Sequence, residues 1–181
     1  MLRHLDAFIR DSKKILDAWD AYSDEHTGLD GWPYDDHAYG LRQSQRDADT
    51  GAAFETVHAG ARHLLATAET QLAQLPSHAV QSRWVWQLGV LQDALDRVDV
   101  LQEEWRQTRD SLTADACPGI PAYDDALTEY HAEAWSYLDG ASHGQAVLDI
   151  NTAARHAPST LAPPPTATTV PASGRASTVR R

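Results

Sequence analysis

Residues 82–112, SRWVWQLGVLQDALDRVDVLQEEWRQTRDSL, carry the strongest apolar–polar pattern in the chain. At 100° per residue, Trp84, Leu88, Leu91, Leu95, Val98, Trp105 and Leu112 fall in one stripe. Spacing of three and four is that of a helix with one buried face. From Asp93 onward the other faces are mostly polar, with Asp96, Arg97, Asp99, Glu103, Glu104 and Arg106. From Trp84 to Leu91 they are largely apolar, because Val85, Trp86 and Val90 lie off the stripe. A helix apolar nearly all round is normally enclosed on every side. This end is therefore expected deep in the core or, failing that, under a partner.

Three more segments repeat the pattern. Residues 2–25 place Leu2, Leu5, Ile9, Ser12, Leu16 and Trp19 in line, with Phe8, Ile15 and Tyr22 widening the face. Ser12 is expected to be a small core residue bonded to its own helix. A second helix starts at Gln43 or Thr50 and runs to Leu75, with Phe54, Val57, Ala61, Leu64, Ala68 and Leu72 inward. Thr50 suits its N-cap, and Pro76-Ser77 ends it and caps the next. So short a turn predicts antiparallel neighbours. The fourth helix spans about Pro121 to Arg155, with Tyr123, Leu127, Tyr130, Ala134, Leu138 and Leu148 on one face. Gly140 and Gly144 predict a bend or a break, after which residues 144–156 form a short helix of their own.

The predicted architecture is all-α: an antiparallel four-helix bundle of long helices over residues 1–155. Between the first two helices, residues 29–40 (LDGWPYDDHAYG) combine Gly31, Pro33 and Gly40 with Trp32, Tyr34 and Tyr39. They predict an ordered aromatic loop that plugs one end of the core. Residues 156–181 turn rich in Pro, Thr, Ala and Ser. They lack the large apolar side chains that offset ordering entropy, so a disordered tail is expected.

Charge narrows the partner classes. Residues 1–156 hold all 26 acidic and 12 of the 15 basic residues, a net of −14, and the remainder holds +3. An acidic body argues against a phosphate-backbone binder. It suits solubility or a basic protein partner. No run is long enough to span a membrane, and MLRHLDAFIR lacks a signal-peptide core, so a cytoplasmic protein is expected. Cys117 stands alone, which leaves no internal disulfide or cysteine-based zinc site. The excess of arginine over lysine and the abundant alanine fit a GC-rich bacterial genome.

The chain holds no phosphate loop, dinucleotide fingerprint or nucleophile elbow. Glu55 and His58, three apart, share a helix face as in carboxylate-bridged metal bundles. No second Glu-x-x-His completes the set; Glu129 and Glu133 are the nearest substitutes. Solvated helix faces with local ion pairs, such as Glu55 near Arg62, account for them as well. Asp30, Asp35, Asp36 and His37 do not match a calcium-loop spacing and read as an acid-rich turn. No cofactor is expected. The leading expectation is a non-catalytic module for self-association or for docking a protein partner, with Val85, Trp86, Val90 and Trp135 as the contact surface. Two alternatives are a metal-binding helical enzyme using Glu55, His58, Glu129 and Glu133, and an acidic decoy of a basic nucleic-acid-binding protein.

Overall fold

A computed structural model describes residues 1–113 and 116–157. The segment expected as a disordered tail, from residue 158 on, lies outside the described residues. The fold is all-helical, and among the described residues no strand forms. Among the described residues there are five α-helices rather than four: α1 Leu2–His26, α2 Asp36–Gln74, α3 Ser82–Ser111, α4 Pro121–Leu138 and α5 Gln145–His156. The extra helix comes from the predicted break, where Asp139–Gly144 winds as a 3₁₀ segment between α4 and α5. Gly144 lets that segment lie directly on α1: a Cβ there would stand 3.2 Å from Ile9 Cδ1 and 3.3 Å from Leu5 Cδ1. None of the described helices is long and apolar enough to cross a membrane.

The predicted stripes form the core. Leu5 and Phe8 of α1, Phe54, Val57, Leu64 and Ala68 of α2, and Trp84, Leu88, Leu95 and Val98 of α3 are buried together. Ala134 and Leu138 of α4 and Ala146, Val147 and Ile150 of α5 close the cluster. Each large aliphatic chain so buried contributes roughly 1.5–3 kcal/mol. The Phe8 and Phe54 rings meet edge to face at 5.5 Å, and Trp19 meets Tyr39 at 5.0 Å, so α1 and α2 run antiparallel. Ser12 is buried, but its hydroxyl has no hydrogen-bond partner and does not bond its own helix.

The largest departure from the sequence reading is the start of α2. The helix begins at Asp36, inside the segment expected to be loop, and its 39 residues extend about 58 Å. The Asp35 carboxylate caps it by accepting from Ala38 N at 3.0 Å. Gly40 sits within the helix with open space around it. Thr50 is not an N-cap; it lies mid-helix and donates its hydroxyl to the Arg46 carbonyl. Ser77 does not cap α3 either, because Ser77–Ala79 forms a 3₁₀ turn and α3 starts three residues later.

The real connection, residues 27–35, is a hairpin-like turn. Thr27 and Pro33 form an isolated antiparallel bridge, Gly28 N donates to Trp32 O at 2.8 Å, and Tyr34 N donates to His26 O at 2.9 Å. Gly31 takes φ +82°, which side-chain-bearing residues resist. The turn is ordered as expected but does not plug the core. Trp32 and Tyr34 are 72% and 74% exposed, and the ring that packs is Tyr39, already in α2.

Candidate functional site

The helical step at the start of α3 sends Trp84 and Leu88 inward and Val85 and Trp86 outward. Val85 is 63% and Trp86 61% exposed, while Val90 is half-buried one turn on. The expectation that this end is enclosed on all sides is thus incorrect. Trp86 is held at one edge by His143 of the 3₁₀ segment, with ring centroids 4.9 Å apart and planes at 77°. The rest of the indole faces solvent from a rigid helix. Trp135 does not join this surface. It faces inward from α4 and covers a charged side chain of α2, so the predicted patch contracts to Val85, Trp86 and Val90.

A second exposed apolar region lies where the sequence predicted a plugging loop. Leu29, Trp32 and Tyr34 stand out from the turn after α1, and Leu41 is exposed on the first turns of α2. It lies well away from Trp86. Ile9 touches the 3₁₀ segment beside His143, and the turn starts 18 helical residues later, about 27 Å along α1. The acids of this turn have structural tasks: Asp30 accepts from Trp32 N at 3.2 Å, and Asp35 caps α2.

The four metal candidates separate into two environments. His58 joins α2 to α3, with Nε2 3.0 Å from Asp99 Oδ1 and Nδ1 3.2 Å from Gln102 Nε2. Gln102 also donates to Glu55 at 3.3 Å. Arg62 bridges Asp96 and Asp99 rather than pairing with Glu55. Burial pushes the Asp99 carboxyl upward, but the His58 and Arg62 hydrogen bonds and charges outweigh it and hold the group below its ordinary range. Glu129 and Glu133 instead line a groove between α3 and α4. Among the described residues, no three His, Cys, Asp or Glu side chains converge as a metal would require.

That groove encloses about 380 Å³. Leu101, Trp105 and Tyr130 form its floor, and Glu104, Glu129 and Glu133 its rim, with Arg97 at one end. The Trp105 and Tyr130 rings are stacked, 5.9 Å apart at 19°. Burial raises the Tyr130 phenol above its ordinary value, so it stays protonated.

The most constrained polar group lies elsewhere. Arg46 of α2 is buried between two indoles: its Cζ is 4.5 Å from the Trp19 ring centroid and 3.5 Å from that of Trp135. Its Nε and Nη2 donate to Asp47 Oδ1 at 2.8 and 2.6 Å. Asp47 is buried too, and desolvation raises its carboxyl despite the arginine. His131 of α4 sits close by, against Gly51, and burial lowers its imidazole despite the pull of Asp47. The arrangement satisfies a buried charge and fastens α1, α2 and α4. It offers no nucleophile, but a cavity of about 180 Å³ lined by Trp19, Arg42 and Arg46 reaches it from the α1–α2 side. The sequence did carry a trace of it: Tyr39, Arg46, Thr50, Phe54 and Val57 keep helical spacing, with polar residues where a core stripe is usually apolar. No protein-family model matches the chain, and no curated protein or solved structure matches it.

Proposed function

We propose that the protein is a non-catalytic helical docking module that meets another protein, or a second copy of itself, through Val85, Trp86 and Val90 on α3. The observation that supports this reading is the exposed Trp86 indole, fixed on a packed helix and flanked by Val85. Tryptophans presented this way are the side chains that anchor interfaces, because they bury a large area with little loss of rotamer freedom. The side chains with shifted titration serve packing and ion pairing, which favours docking over catalysis. The metal-enzyme alternative needs Glu55 and His58 to meet Glu129 and Glu133, and the first pair is instead engaged with α3. In this reading the module works in the cytoplasm, which the unpaired, exposed Cys117 suits.

The test uses the full chain. Sedimentation over a concentration series is run on the natural protein and on Trp86→Glu, alongside a variant with a photo-reactive residue at position 86 expressed in the host. Docking predicts either a mass that rises with concentration and falls back to monomer in Trp86→Glu, or one discrete cross-linked protein. An unchanged monomer together with no adduct removes the proposal.

A further inference from the structure

We propose that the cavity between α1 and α2 beside Arg46 binds a small oxyanion, a phosphate or a carboxylate group. The cavity holds about 180 Å³ and is lined by Lys14 and Trp19 of α1 and by Arg42, Arg46 and Asp49 of α2. That is short of the roughly 300–1,000 Å³ of drug-sized sites and suits one such group rather than a large ligand. Three cations line it against one carboxylate, in a body that carries a net of −14 over residues 1–156. This site lies apart from Trp86 and does not depend on the docking reading.

Two observations point to an occupant. The first is Arg46, which is only 7% exposed. Its Nε and Nη2 both donate to one oxygen of Asp47, and Nη1 takes no partner among the described residues. Nη1 is not one of the sealed polar atoms that lack a partner, so it is reached from outside, and the cavity is the opening beside it. The second is Arg42, one turn earlier on the same helix. Its Cζ lies 5.8 Å from the Tyr22 ring centroid, as that of Arg46 lies 4.5 Å from Trp19. A ring face offers a guanidinium no lone pair, so the N–H donors of Arg42 stay unspent. Arg42 takes no hydrogen bond or ion pair among the described residues, whereas Arg10, Arg62, Arg106 and Arg109 each meet a carboxylate. Arg3 shares that state, but at the other end of α1. Lys14 donates to Asp11 at 2.8 Å and keeps two further N–H donors. Asp49 is exposed, and its Oδ1 accepts from Gln45 at 2.7 Å. Two donor forks one helical turn apart, each laid over a ring of α1, match the oxygens of one anion placed between Arg46 Nη1 and the Arg42 guanidinium.

The experiment titrates inorganic phosphate and, separately, acetate into the full-length protein, with ionic strength held constant by sodium chloride. It follows the Trp19 indole N–H and Arg46 Nε–H resonances and the heat of binding. At least one of the two anions is expected to saturate at a dissociation constant of about 1 mM or tighter, shifting both resonances and leaving the Trp86 indole unmoved. Binding is expected to be about tenfold weaker in Arg42→Gln, a substitution at an exposed position whose fold circular dichroism checks. Arg3→Gln removes the same charge outside the cavity and is expected to bind as the natural chain does. Saturation by phosphate alone identifies a phosphate group as the occupant, saturation by acetate alone a carboxylate, and saturation by both a site open to either; all three support the site. Saturation by neither anion, shifts that spare Trp19 and Arg46, undiminished binding in Arg42→Gln, or an equal loss in Arg3→Gln overturns it. Trp86→Glu is expected to bind the anion normally, so this site and the docking face stand or fall separately.

Discussion

At the scale of single residues, Arg46 carries the sharpest energetic consequence. Its charge has been taken out of water and is repaid by Asp47 and by two indole faces. Arg46→Ala leaves a buried carboxylate without its partner and is expected to cost roughly 3–5 kcal/mol in urea unfolding. Replacing both members, Arg46→Met with Asp47→Leu, should recover most of that loss, because no lone charge remains. Lysine should not substitute for the arginine, since a point charge on a flexible stem cannot fill a flat slot between two rings.

The neighbouring His131 gives a pH dependence of defined sign. Burial holds its imidazole below the ordinary 6.5, so the unfolded chain takes up a proton that the folded chain refuses. Stability is therefore expected to fall as pH drops through that value. Asp47 acts in the opposite sense: its carboxyl is raised above 3.8 by desolvation, so folding is penalised as pH climbs from there. A melting series between pH 7.5 and about 5.5 should therefore decline in the natural protein and flatten in His131→Gln; identical slopes would remove His131 as the cause.

At the scale of elements, what the sequence revealed depended on how apolar each buried stripe is. The face of α3 from Trp84 to Val98 and that of α2 from Phe54 to Leu72 were readable, because water exclusion alone sets their periodicity. The first half of α2 was not. There Arg46, Asp47 and Thr50 occupy the buried face, and a pattern search treats them as loop or surface. Gly40 and the Asp-rich run beside it strengthened that misreading, although Asp35 was in fact the cap that starts the helix. Trp135 failed for a related reason. It lies off the main line of α4, which suggested an exterior anchor, yet its ring covers a buried guanidinium that no local pattern announces. Trp86, equally off its stripe, is exposed except where the His143 ring meets its edge. Sequence spacing alone does not separate these two tryptophans. The break between α4 and α5 was legible, since two glycines four apart weaken a helix whatever surrounds them.

At the scale of the whole molecule, α2 is the element against which α1, α3, α4 and α5 all pack. Its middle holds Val57, Leu65 and Ala68, among the most enclosed side chains in the protein. Separate attachments run outward from it: rings and the Arg46 slot to α1 and α4, the His58–Asp99 and Arg62 bridges to α3, and Asn151 beside Gln71 to α5.

Such a common strut fixes the order in which backbone amides meet deuterium. The amides of residues 57–68 should exchange only when the entire chain opens, and should share one free energy. The amides of the Thr27–Asp35 turn, tied by a few bonds at the surface, should exchange through small excursions many orders of magnitude faster. Removing the Arg46 attachment should uncouple α4 first, so that its protection falls below that of the strut while the strut still reports global opening.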